Sequence, residues 1–355
     1  MKFEIDTIDT HIHLYTWFGE NGITFFEAFD DYQKRHGMRA LNICALPSFS
    51  YGDVSLNIMG ALYKLHNPSA YSYAGIVYPE LPVRLPMPKG MDVLSQYNEL
   101  MEIGFDGIKM IETKPTDLRH LGISVSHSLY NDFFAEIERN GTHLIWHVAD
   151  PDTFWDGERV PDWAVKRGWF YGEVGYPSLK EVYNQVFEVL ERFPKLNVTF
   201  AHFFFLAEHP EVLEQIFAKF SNVAVDLTPG SEMYDGFDRQ HQRYREFFEK
   251  YADRILYGTD VSFPKSMDYW DNLSDSVYRV LTSDDLIQVH SVKCRGLNLP
   301  KHVCEKILHK NFLRKCSEKP NTVNVTALKK YVQKYKSFIR DEETRKIITD
   351  YVNKL

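Results

Sequence analysis

The chain has little of what marks a secreted, membrane-spanning or nucleic-acid-binding protein. Only four cysteines occur in 355 residues, Cys44, Cys294, Cys304 and Cys316, with no Cys-x-x-Cys pair and no framework spacing. A disulfide scaffold is therefore excluded, and the thiols read as reduced groups of a cytoplasmic protein. No apolar run approaches the ~20 residues that span a bilayer, so no membrane partner is expected. The first residues lack a basic stretch followed by an apolar one, which predicts no signal peptide. Positive charge is in deficit, with 41 Lys and Arg against 49 Asp and Glu, a net charge of −8. That balance gives nucleic acid no general electrostatic hold. There are no internal repeats and no low-complexity linker. A glycine-rich loop after the first strand, the mark of a dinucleotide-binding sheet, is also missing; histidine stands there instead.

What is present is an ordinary globular composition, 44% hydrophobic and 25% charged, with abundant aromatics (25 Phe, 21 Tyr, 6 Trp). Most of these rings must pack a core, and a minority line a pocket. Short β-rich runs near 5–13, 40–46, 72–77, 105–111, 143–148, 197–202, 222–227 and 255–259 alternate with helical stretches such as 24–37, 91–103, 128–140, 178–193, 210–220 and 239–252. Ser178 with Glu181 three residues on spells a capping box. Eight strands separated by helices predict an α/β fold, a (β/α)8 TIM barrel with extra C-terminal helices. The expected division is 1–316 for the barrel and 317–355 for a helical extension packed on it. Two long loops, Ala149 to Pro177 and the one after Asp260, stand where barrel loops shape a site.

Polar residues recur at the ends of the apolar strands. Strand one closes on Asp9-Thr10-His11-Ile12-His13. Alternation along a strand sends His11 and His13 to the same face, where two imidazoles supply half of a four-ligand zinc shell. Strand five ends in His147, strand six in Ala201-His202, and strand eight in Gly258-Thr259-Asp260. In a barrel these ends meet at one mouth. His143 shares the parity of His147 but lies at the opposite end of the strand, so it is taken as structural.

Together, Asp-Thr-His-Ile-His, His147, Ala201-His202 and Gly258-Thr259-Asp260 resemble the amidohydrolase superfamily. The similarity is greatest to its amidohydrolase-2 branch, which includes aminocarboxymuconate-semialdehyde decarboxylase and dicarboxylate lactonases. Gly107-Ile108-Lys109, Leu299-Pro300, Lys306-Ile307-Leu308 and Asn311 support the same branch, over roughly residues 5–316. The resemblance implies one divalent metal on His11, His13, His147 and Asp260, zinc first, with manganese or a second metal as alternatives. It implies His202 beside the metal as an acid/base or electrostatic residue, and Asp260 as ligand and proton acceptor. Zinc would lower the pKa of water towards ~7. Lys109 would contact substrate or bridge two metals, with Glu112 a competing carboxylate. Trp17, Glu173 and Asp226 are further substrate-site candidates, Asp226 as a residue that orients either substrate or a ligating histidine, with Tyr15 and Tyr171 beside them, and Arg119 and Arg159 as weaker cations. Asp9 is read as a buried acceptor.

The implied function is a metal-dependent hydrolase cleaving an amide, lactone or related ester of a small molecule. The alternatives are a zinc-dependent non-oxidative decarboxylase of a small carboxylic acid, a TatD- or PHP-like phosphoesterase, and a catalytically silent binding barrel. A homodimer is a further expectation.

Overall fold

The computed structural model describes residues 1–47, 53–230 and 232–355. Strands β1 (Ile8–Leu14), β2 (Ala40–Cys44), β3 (Tyr71–Ala74), β4 (Gly107–Thr113), β5 (His143–Val148), β6 (Val198–Phe200), β7 (Val223–Asp226) and β8 (Ile255–Leu256) follow one another with helices between. A short β9 (Ser262–Phe263) comes after them. All nine lie in one parallel sheet, ordered from β8 through β7 to β1 and then β9. Parallel strands with helices outside are buried on both faces, so their sequences are mostly apolar. The inward positions of β1 are the exception: Asp9, His11 and His13 are polar and nearly inaccessible, at 0%, 0% and 4% exposure. Such groups are tolerated only when each polar atom has a partner.

The sheet curls as a TIM barrel does, but no ladder joins β8 directly to β1. Strand eight stops after two residues, and the chain turns at Asp260, whose φ is 59°. A Cβ at Gly258 would stand 3.0 Å from Thr228 and 3.1 Å from His11, so glycine is needed for the close approach. The stretch 255–263 is held by β7 at its start and by β1 at its end. Between these ladders, Thr10 N–H and Oγ1 both donate to the Tyr257 carbonyl. The expected eight-stranded closure is thus replaced by a seam in which β9 takes the place beside β1.

Inside the barrel, Ile8, Tyr71, Tyr73, Ile145, Leu256 and Phe312 pack below the polar layer. His143 belongs to this lower end, bonded to Tyr73 Oη at 2.7 Å and Thr199 Oγ1 at 2.8 Å, in the structural role anticipated for it. The helix Leu179–Arg192 opens with the Ser178–Glu181 capping box. The loop 149–177 carries its own small core of Phe154, Ala164 and Tyr171. An antiparallel hairpin, Leu286–Val289 with Val292–Arg295, was not foreseen. Near the C-terminus, helices Val325–Tyr335 and Glu342–Lys354 pack on the barrel: Asn57 Nδ2 donates to Tyr331 Oη, and Tyr351 meets Trp17 and Phe26.

Candidate metal centre

Both histidines of β1 are oriented from behind. His11 Nδ1 is 2.8 Å from Asp226 Oδ2, and His13 Nδ1 is 2.6 Å from the Cys44 carbonyl oxygen. A neutral imidazole has one donor and one acceptor nitrogen. Because both partners only accept, the Nδ1 atoms carry the protons and the Nε2 lone pairs face the barrel mouth. The two Nε2 atoms lie 3.1 Å apart, and Asp260 Oδ1 is 3.1 Å from His13 Nε2 and 3.9 Å from His11 Nε2. Among the described residues, His11, His13 and Asp260 form a group whose donor atoms all lie within 4.8 Å of one another. Two imidazole lone pairs and a carboxylate aimed at one point repel unless a cation sits between them, so this donor set fits a divalent metal.

Burial sets the charge of the site. It pushes the pKa of His11 well below the ordinary value and lowers that of His147. His202 falls to about 4, from burial first and then the neighbouring His147. All three are therefore neutral near pH 7. At Asp260 burial acts upward, but the pull of His13 first, and of His202 and His11, when those imidazoles are protonated outweighs it and holds the carboxyl well below the usual range. Its side chain is 37% exposed, making it the member of the cluster that faces the mouth.

His202 lies beside this group, its ring centroid 6.0 Å from that of His11 and 4.8 Å from that of His147. Its backbone N–H donates to Asp226 Oδ1 at 2.9 Å, and its Nδ1 lies 3.2 Å from the Thr228 carbonyl and hydroxyl, leaving Nε2 for proton transfer. His202, Phe203, Phe204 and Phe205 all have left-handed backbone, with φ between 52° and 59°. Each such non-glycine residue costs about 1–2 kcal/mol. Packing offsets this: Phe204 stacks on Phe200 at 4.0 Å, Phe203 inserts among Phe237, Tyr244, Phe247 and Phe248, and Phe205 stacks on His202.

Residues 8–314 match the model of the amidohydrolase family. The chain belongs to this family. Its solved structural neighbours include a putative amidohydrolase from Staphylococcus aureus, with 16% identity, TM-score 0.55, and 88% of this chain and 99% of that one covered. Another is a probable 2-pyrone-4,6-dicarboxylic acid hydrolase from Acinetobacter baumannii, with 11% identity, TM-score 0.53, and coverage of 87% and 98%. A third is a dihydroxybenzoic acid decarboxylase from Polaromonas with bound manganese and 2-nitroresorcinol, with 14% identity, TM-score 0.53, and coverage of 89% and 97%. These likenesses establish the fold. No curated protein matches the chain. As an amidohydrolase-family member, the protein is an enzyme.

The remaining candidates of this amidohydrolase separate by position. Lys109 is buried at the site, its Nζ 3.0 Å from His11 Nε2, and burial lowers its pKa. Asp226 anchors His11 and the His202 backbone rather than facing open space. His147 stands outside the three-donor group, and its Nε2 is engaged by the Ala149 carbonyl at 2.9 Å and Asp150 Oδ1 at 3.3 Å. Glu112 turns away, accepting from Tyr78 Oη at 2.9 Å and the Ile111 N–H at 2.8 Å. Asp9 accepts from Thr259 N–H and Oγ1 and from Tyr32 Oη, and so ties β1 to the strand-eight turn.

Trp17 and Glu173 are not brought to the cluster. Trp17 is buried against Phe25 and Phe26, and Glu173 is exposed on the long loop. A loop offers many directions, and the apolar core claims the indole. Arg119 lies over the Tyr176 ring, and Arg159 pairs with Asp152. Tyr15 stacks beside His13, with ring centroids 6.1 Å apart. Lys114 and Asp150 were not picked out from the sequence, although Lys114 directly follows β4 and Asp150 stands two residues after the end of β5. Their charge at a strand end was the available signal.

Proposed function

We propose that this enzyme is a hydrolase dependent on one divalent metal, zinc in first place and manganese in second, acting on an amide, lactone or related ester of a small molecule. The observation that carries this reading is the convergence of His11 Nε2, His13 Nε2 and Asp260 Oδ1, with the opposite ring nitrogens tied back to Asp226 and Cys44. His147 is the fourth ligand in this reading, through Nδ1. A bound divalent metal supplies Lewis acidity that activates water and polarises the scissile group. The Asp260 carboxylate, at the exposed edge of the cluster, receives the proton of the attacking water. His202 Nε2, unprotonated at rest, takes up that proton and passes it to the leaving group, steadied by Thr228 on the far side of its ring. Lys109 orients an anionic part of the substrate. Glu112 is engaged elsewhere, which favours one metal over two and weighs against a phosphoesterase cluster.

The second reading is non-oxidative decarboxylation on the same residues. Lys109 favours it: a buried cation beside the donor group would meet a substrate carboxylate.

The test is elemental analysis of purified protein, followed by a screen of lactones, amides and carboxylated aromatics. One metal per chain and a hydrolysed product support the proposal. Release of carbon dioxide moves the second reading to the front. No metal, even after reconstitution, overturns both. His147→Ala and Asp260→Ala are expected to lower metal content. His202→Ala is expected to keep the metal and lose about 10²–10⁴ in kcat, the usual worth of an acid/base group. Loss of metal from His202→Ala would refute that division of roles.

A further inference from the structure

His147 is oriented oppositely to the β1 pair. Both groups at its Nε2, the Ala149 carbonyl and the Asp150 carboxylate, can only accept, so Nε2 carries the proton and the Nδ1 lone pair is free. This arrangement depends on the turn just after β5. Ala149 has a left-handed φ of 63°, which brings its own carbonyl and the next side chain back onto the ring.

Asp150 is itself fully engaged. It is 4% exposed, and its Oδ2 accepts from Lys114 Nζ and from Tyr171 Oη, each at 2.5 Å. Lys114, at 4% exposure, lies with its Nζ 4.3 Å above the Trp169 ring. Tyr171 is 2% exposed, packs on Trp155 at 4.9 Å between centroids, and donates its backbone N–H to the Phe154 carbonyl at 2.7 Å. One carboxylate therefore joins three parts of the chain: the end of β4, the ring of His147, and the small core of the 149–177 loop.

We propose that Asp150 is the positioning residue of His147, and that through Tyr171 it makes the 149–177 loop part of the metal site. The inference rests on the metal-dependent reading above. A carboxylate behind a ligating imidazole fixes its tautomer and ring direction, and its loss typically weakens metal binding 10–100-fold. Coupling between two sites is reciprocal, so a metal that draws on this arrangement must also steady the loop.

The experiment uses the full chain, stripped with a chelator and titrated with Zn²⁺ and with Co²⁺. Asp150→Asn is expected to weaken Zn²⁺ binding 10–100-fold and to shift the visible Co²⁺ bands, because the carboxamide leaves a misdirected ligand. Tyr171→Phe is expected to weaken binding several-fold. Metal should slow tryptic cleavage at Arg159, Lys166 and Arg167 in the parent protein, and slow it less in Tyr171→Phe. If the parent binds metal and His147→Ala loses affinity, while Asp150→Asn binds and absorbs like the parent, the proposal is overturned. A parent that binds no metal overturns the functional reading instead. Should Asp150→Asn fail to fold with Lys114 left unpaired, Tyr171→Phe keeps the buried ion pair. Equal affinity and equal protection by metal in that variant would then refute the coupling.

Discussion

An imidazole serves a metal well when its other nitrogen is already held, and every histidine of this site meets that condition. Asp226 and the Cys44 carbonyl hold the β1 pair, Thr228 holds His202, and Ala149 with Asp150 hold His147. Asp226→Ala is therefore expected to weaken metal binding about 10-fold or more by freeing the His11 ring, measurable by calorimetric titration. His-x-His, His202 and Asp260 were legible in the sequence because strand alternation and strand ends are local features. The direction of the His11, His13 and His202 rings was not, because their partners lie 26 to 215 residues away; His147 is held by groups only two and three residues on, through the left-handed turn at Ala149. A separate residue-level effect concerns Asp117. Burial raises its carboxyl from 3.8 to about 7, against the nearby Lys114 and with Glu112 and Asp150 adding to the rise. The folded state then keeps a proton that the unfolded chain loses near pH 4, so its contribution to stability falls as pH rises from about 4 to 7. Asp117→Asn should remove this slope. Urea midpoints of the two proteins are expected to differ progressively over that range and then run parallel above it.

At the scale of elements, local rules worked where the element carries its own signal. The Ser178–Glu181 box begins its helix as spelled, and Ser178→Ala should cost about 1 kcal/mol in denaturant unfolding without changing metal content. The helix Ser55–His66 went unread because its residues from Ser55 to Lys64 are all buried. Such a helix has no polar stripe to set a 3.6-residue period. Strand eight was expected over 255–259 and ends at Leu256, since Gly258 must pass close to His11 and Thr228 and Asp260 must turn left-handed. The 202–205 run is a similar case. No propensity favours three phenylalanines in left-handed backbone, and only the aromatic packing around them explains it.

For the whole molecule, the C-terminal helices are tied to the barrel wall. The Arg340 N–H donates to Asp53 Oδ2 at 3.1 Å, Tyr331 reaches Asn57, and Leu328, Ile348 and Val352 are buried. A chain ending after Cys316 would expose these contacts and the matching faces of helix Ser55–His66 and of Trp17. It is expected to melt well below the full chain or to aggregate, as read by thermal denaturation and soluble yield.

By itself the sequence determined the alternation of strands and helices, the family, and which strand ends carry histidine and aspartate. These follow from periodicities of two and of 3.6 residues, and from short motifs that lie within one element. Tertiary structure alone decided how the sheet meets at its seam, which nitrogen of each imidazole is free, and why Trp17 and Glu173 stand apart from the cluster. It also decided that Asp150 binds β4, β5 and the long loop into one unit. Apart from the local turn at Ala149 that directs His147, those outcomes depend on hydrogen bonds and packing between residues remote in the chain, and no local pattern encodes them.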